Sequence, residues 1–188
     1  MTTRDHAELA RRRTDEASGG DVNYYLVEIA HPRLGVPYVA EVEDIIEALD
    51  MRFCEGNVFK AMVRSAKLRQ DLGKPGSSKR YEAQKGVYYA KRIVALAQRR
   101  ERLRGAGLYD LLDLDLVVHV EEPKRLSPYK VDVEEFIAAL DPTGAEAMTL
   151  RAVMTLCVMR RDRDAAGREL EEAEKCLEAA NLVMGEVD

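Results

Sequence analysis

Asn57, Lys60, Arg64 and Lys67 follow one another at spacings of three, four and three residues in EGNVFKAMVRSAKLRQ (55–70). On an α-helix turning about 100° per residue they fall within an arc of roughly 80°. Val58, Phe59, Met62, Val63 and Ala66 take the opposite side, and no acid interrupts the run from Asn57 to Gln70. An amide and three cations in a row without counter-charge suit an anion such as a phosphate. The plain alternative is a lysine-rich solvated face. Further on, Lys85, Tyr89 and Arg92 stand at i, i+4 and i+7 and share a second helical face. Packed beside the first, it would add two cations and an aromatic ring to one pocket. Glu43, Asp44 and Glu47 are the candidate metal ligands, although acids at a helix start also answer the macrodipole. No residue declares itself as a general base. His31 and His119 read as surface histidines, and no histidine is tied by sequence to Cys54.

Several elements must position these groups. VNYYLVEIA (22–30) is rich in β-branched and aromatic types and predicts a strand. Pro32, Gly35 and Pro37 enforce a turn segment. Residues 41–50 predict a helix with acids at its start, and Gly56 a break before a helix over 57–70 that Asn57 would cap. DLGKPGSSK (71–79) predicts a surface linker. It has a lysine between glycines but not the GxxxxGK[ST] phosphate loop. Residues 80–104 predict the strongest helix of the chain. Residues 1–21 read as a polar tail.

After Gly105-Ala106-Gly107 the pattern starts again. LDLVVHVEEPKRLSPYKVDVEEFIAALD (114–141) aligns without gaps on NYYLVEIAHPRLGVPYVAEVEDIIEALD (23–50) at an offset of 91. Val27, Pro32, Pro37, Tyr38, Val42, Glu43, Ile46, Ala48, Leu49 and Asp50 recur identically. The expectation is a mainly α protein with short strands (α+β), an internal duplication of a strand–turn–helix–helix–helix unit. The first copy covers 22–105 and the second, degenerate copy 106–188, packed as one domain about a pseudo-twofold axis with strands 22–30 and 114–121 paired. At the same offset Gly56 becomes Ala147, Asn57 Met148, Arg64 Thr155, Lys85 Cys176, Tyr89 Ala180 and Arg92 Val183, while Lys60 keeps its charge as Arg151. The first copy would therefore hold the site and the second give support.

EDIIEAL (43–49), EGNVFKAMVRSAK (55–67) and YEAQKGVYYAKRIV (81–94) resemble, in order, the short bacteriophage nucleotide kinase-like domain family, whose pattern is GN-x-x-K-x-x-x-R-x-x-K without a Walker motif. The resemblance covers roughly residues 24–96. It departs from the family at Ala61, where an aromatic is usual, and at Ala66, where a glycine is usual. It implies nucleotide binding by Gly56, Asn57, Lys60, Arg64 and Lys67, with Glu82, Lys85, Tyr89 and Arg92 from the partner helix. It also implies phosphorylation of nucleoside monophosphates, with ATP and Mg as cofactors if the chain is a kinase. A non-catalytic protein that sequesters nucleotides, or a helical interaction module, are the alternatives.

Composition narrows the field. The 188 residues are 46% hydrophobic and 34% charged, as in a globular protein. A net charge of −5 argues against a general nucleic-acid coat. No apolar run is long enough to cross a bilayer, and no signal peptide opens the sequence, so a cytoplasmic location (the host's, if phage-encoded) is expected. Cys54, Cys157 and Cys176 are expected as free thiols. The apolar 148–159 segment is expected in the core or in a homo-oligomer interface. Arg64→Ala is expected to abolish ligand binding with little loss of stability.

Overall fold

The computed structural model describes residues 23–32, 37–106, 133–160 and 167–187. A turn of 3-10 helix (Asn23–Tyr25) leads into strand β1 (Leu26–Ile29), which pairs antiparallel with β2 (Tyr38–Glu41) in the register Leu26 opposite Glu41 and Ile29 opposite Tyr38. Val27, Ile29 and Ala40 point inward while Glu28 and Val39 face water, the alternation of a sheet with one covered side. The first strand is thus shorter than 22–30. It pairs with a second strand that the sequence reading left inside the turn segment. The expected pairing with 114–121 lies outside the described residues.

Six α-helices follow among the described residues: α1 (Val42–Ala48), α2 (Phe53–Arg69), α3 (Lys79–Gly105), α4 (Val133–Leu140), α5 (Gly144–Arg160) and α6 (Glu169–Gly185). The protein is mainly helical with one two-stranded antiparallel sheet. Helix α2 packs along α3, α5 along α6, α3 against α6, and α2 against α5, so two helical hairpins face each other. Their shared core holds Phe59, Met62, Val63, Leu150, Val153 and Ala180, all fully buried. Phe59 stacks on Phe136 across the halves at 5.8 Å. Removal of apolar surface from water along these seams is the main stabilising term.

Helix α2 starts four residues before Asn57. Glu55 reaches back to accept the backbone N–H of Arg52 at 2.7 Å, which fixes the start there. Gly56 and Asn57 are therefore interior helix residues, neither break nor cap. Gly56 lies against Ile46 of α1, and the Asn57 amide donates to its own helix at the Phe53 carbonyl (2.7 Å). Helix α3 starts where Ser78 caps the N–H of Tyr81.

Some of the helix bounds recur at the sequence offset of 91. Helix α2 (Phe53–Arg69) and helix α5 (Gly144–Arg160) correspond end to end, and α1 and α4 share their start. Asp50 and Asp141, also 91 apart, both take a left-handed backbone with φ of 50° and 47°. Aspartate tolerates that region better than most residues. Glu55 and Glu146 each accept the N–H three residues back, from Arg52 and from Thr143.

Candidate functional site

The cationic face of α2 lies under the segment that enters β1. The Tyr25 ring sits between two of its charges, with Arg64 Cζ at 5.4 Å and Lys60 Nζ at 5.7 Å from the ring centroid. Arg64 is buried, only 5% exposed. Its Nε donates to the Lys60 carbonyl (3.3 Å), and its Nη1 stands 3.5 Å from Glu82 Oε1 on α3. Ser77 Oγ donates to that same oxygen at 2.6 Å. Glu82 is wholly buried, and its other oxygen, Oε2, has no hydrogen-bond partner.

Lys85 completes the group. Burial first, then the positive charge of Arg64, holds its ammonium below the ordinary lysine range; Glu82 pulls it up, and Lys74 and Lys60 push it down. Lys60 and Arg64 thus stand over the Tyr25 ring, Arg64 also meets the buried Glu82, and the charges of Arg64, Lys74 and Lys60 all bear on Lys85. Tyr25 has its hydroxyl pushed above the ordinary range, chiefly by burial. Like charges gathered around a single acid are relieved by an anion.

Of the residues chosen from sequence, Lys60, Arg64 and Lys85 come together. Lys67 is buried and feels the charge of Glu28 on β1. Burial lowers its ammonium and Glu28 raises it. Gly56 is a packing position and Asn57 spends its amide on its own helix. Tyr89 leans on Phe53 at 5.8 Å and on Tyr88 at 5.1 Å, while Arg92 acts on the Cys54 thiol. These last two belong to a neighbouring aromatic surface rather than to the Tyr25 pocket. Beside that surface is a hollow of about 110 Å³ lined by Arg52, Phe53, Cys54, Leu96 and Arg100 among others. Glu43 and Asp44 occupy the first turn of α1, and among the described residues no three His, Cys, Asp or Glu converge on a metal position. His31 is exposed; His119 lies outside the described residues.

Tyr25, Lys74 and Ser77 were not legible as site residues. They sit on a 3-10 turn and in the loop expected to be a plain linker, where periodicity gives no signal. Arg64, in contrast, is bound into the interior, so its substitution reaches further than a ligand contact. The second half treats its surviving cation differently. Arg151 is gripped by Glu134 through both oxygens (3.1 and 2.7 Å), whereas Lys60 has no carboxylate partner among the described residues. Met148, Arg151, Thr155 and Val158 form an exposed stripe on α5 in place of Asn57, Lys60, Arg64 and Lys67.

Cys157 and Cys176 are buried free thiols, and Cys54 is half-buried. Cys157 donates to Glu55 Oε2 at 3.6 Å, and burial pushes its thiol up to about 12, as it does that of Cys176. Both stay protonated at neutral pH. Among the described residues no helix is long and apolar enough to cross a membrane.

Comparison of the chain with family models, curated proteins and solved structures finds no match. The likeness to the phage nucleotide kinase-like domains therefore rests on the motif residues alone.

Proposed function

We propose that this protein binds a nucleotide or another small phosphorylated ligand at Lys60, Arg64 and Lys85, around Tyr25. One observation carries the reading: Lys60 and Arg64 both stand over the Tyr25 ring, at 5.7 and 5.4 Å, with Lys85 close enough to feel their charge, and among the described residues Glu82 is the one carboxylate paired with this group. Lys60 and Lys85 are half-exposed and supply the charge that meets the ligand. Arg64 is held by Glu82 and polarises the pocket from below. Tyr25 supplies a ring face at the rim, and Glu82 and Ser77 keep Arg64 in place.

Such a site serves phosphoryl transfer or simple retention. Transfer needs ATP with Mg and a placed acceptor, and the phage-family likeness supports it. Retention needs only the cations. Thermal shift and calorimetry over a panel of nucleoside mono-, di- and triphosphates and inorganic phosphate test binding. Lys60→Ala and Lys85→Ala should each weaken it at least tenfold without moving the melting temperature of the unliganded protein. Unaltered affinity in both variants overturns the assignment. Incubation with ATP, Mg and nucleoside monophosphates then separates the two uses: product formation marks a kinase, while binding without turnover marks sequestration. A cytoplasmic location belongs to the same reading, and light scattering with and without ligand tests the expected homo-oligomer.

A further inference from the structure

Only three aromatic rings stand well out of the surface among the described residues: Phe53 (75% exposed), Tyr88 (59%) and Tyr81 (55%). All three lie on or against α3. Tyr81, Lys85, Tyr88, Arg92 and Arg99 fall within an arc of roughly 60° along that helix, and span about 27 Å at 1.5 Å per residue. The stripe thus alternates ring, cation, ring, cation and cation on the helix side away from Ala83, Ala90 and Ala97, which are buried. Tyr88, Tyr89 and Phe53 touch in series, the first pair at 5.1 Å and the second at 5.8 Å, both edge to face. This contact carries the aromatic surface from α3 across to the start of α2.

The charge on this helix opposes that of the whole chain. Helix α3 has nine Lys and Arg against Glu82 and Glu101, in a protein of net charge −5, and Glu82 is buried. Arg92 and Arg99 are exposed and make no ion pair among the described residues. Exposed rings are normally withdrawn or covered, because leaving them in water forgoes their burial. Rings interleaved with unpaired cations at a spacing of one to two helical turns match a chain that offers planar faces and negative charges in alternation.

We propose that the α3 stripe, with Phe53 at its edge, binds single-stranded nucleic acid. Bases stack on Phe53, Tyr88 and Tyr81 while Lys85, Arg92 and Arg99 meet the phosphates. A single strand fits better than a duplex, whose bases are already stacked and whose phosphate rails would meet the acidic remainder of the surface. It also fits better than an acidic peptide, which has charge but few planar faces. The overall negative charge confines binding to this stripe and makes it sensitive to salt. The proposal shares Lys85 with the nucleotide site, whose other groups, Tyr25 and Lys60, lie off this stripe.

Fluorescence anisotropy of a fluorescein-labelled oligothymidylate titrated with the full chain tests this, in parallel with a duplex of matched length and with polyglutamate as competitor. The strand should bind more tightly than the duplex and resist polyglutamate. Phe53→Ala and Tyr88→Ala should each weaken it by on the order of tenfold. Arg92→Ala and Arg99→Ala should each lower the slope of log affinity against log salt by about 0.7. Lys60→Ala should leave strand binding unchanged, and circular dichroism checks that every variant is folded. Four results overturn the proposal: no binding at about 50 mM salt; equal displacement by polyglutamate; strand binding lost in Lys60→Ala but not in Tyr88→Ala; or self-association in light scattering that Phe53→Ala and Tyr88→Ala abolish.

Discussion

Arg160 closes on Glu55 with one guanidinium nitrogen shared between both carboxylate oxygens, at 2.8 and 2.9 Å, and gives its other nitrogen to the Asp50 carbonyl at 2.8 Å. Arg69 reaches the corresponding partners through a single nitrogen, Nη2, which donates to Glu146 at 2.6 Å and to the Asp141 carbonyl at 2.9 Å. Each arginine ends one long helix and fastens the start of its counterpart, so the two halves clasp each other reciprocally. That is the contact pattern a local twofold axis produces. Each glutamate has a double duty, because it also caps its own helix.

Removing either arginine should therefore loosen two things at once. Glu55 and Glu146 are nearly buried (4% and 2% exposed), so Arg160→Ala or Arg69→Ala leaves a carboxylate without its charge partner. The expected loss is about 2–4 kcal/mol in urea unfolding. Pairing Arg160→Ala with Glu55→Gln should recover part of it, since a neutral amide costs less to leave there. A loss below about 0.5 kcal/mol would identify the clasp as a surface pair of no consequence.

Arg64 behaves as a structural cation more than the sequence suggests. It is 5% exposed and stands over the wholly buried Glu82. Arg64→Ala should lower stability by about 2–4 kcal/mol through the stranded carboxylate, contrary to the expectation of a nearly neutral change. The double variant Arg64→Ala/Glu82→Gln should regain much of this while still binding ligand weakly. Equal melting temperatures for Arg64→Ala and the parent would show that the pair stabilises nothing.

Lys85 sets the pH response of the proposed ligand site. Burial, then Arg64 and the other nearby cations, hold its pKa below 10.5 in the unliganded protein. A bound phosphate favours the charged form and raises it again. Binding should therefore take up a proton at alkaline pH, and affinity should fall as pH rises through the lowered Lys85 value. Calorimetry in buffers of different ionisation enthalpy reads the proton directly, and Lys85→Arg should flatten the profile. For the unliganded chain, Lys67 and Lys85 both lose proton affinity on folding. The unfolded chain then binds more protons between those lowered values and 10.5, so these lysines make stability rise with pH in that window.

The helices were plain in the sequence because their apolar positions repeat at helical spacing. Residues 80–104 were expected and Lys79–Gly105 is found. Helical spacing likewise brought out Lys60, Arg64 and Lys85. Strand β2 escaped because Tyr-Val-Ala-Glu is four residues long and runs directly into α1. The start of α2 was misplaced because its cap is a glutamate reaching back to Arg52, where no Ser, Thr, Asp or Asn marks the spot. Tyr25, Lys74 and Ser77 join the pocket through a 3-10 turn and a loop, which periodicity does not register. The clasp did leave a trace. Glu55 with Glu146, and Arg69 with Arg160, are charges kept identical at the offset of 91 where the pocket residues around them change. Thr143-x-x-Glu146 is an open capping signature.

The two interior glycines of the first hairpin should respond in opposite directions. At Gly56 an added Cβ would meet Ile46 at 3.5 Å, an ordinary contact, and alanine is better than glycine inside a helix by about 1 kcal/mol. Gly56→Ala should therefore stabilise by roughly 0.5–1 kcal/mol. At Gly86 the same atom would come within 2.6 Å of the Met62 methyl, which is fully buried between α2 and α3. The methionine can turn, but in a filled core its movement costs about 1–3 kcal/mol against that same propensity gain. Gly86→Ala should lose about 1 kcal/mol net. Denaturant midpoints read both. The phage-family pattern implies that the glycine of the Gly-Asn pair serves the ligand, yet its Cα faces Ile46 in the interior. A Gly56→Ala protein that is stabilised and binds nucleotide undiminished assigns this glycine to the packing of α2 on α1. Loss of binding at unchanged stability would return it to the site.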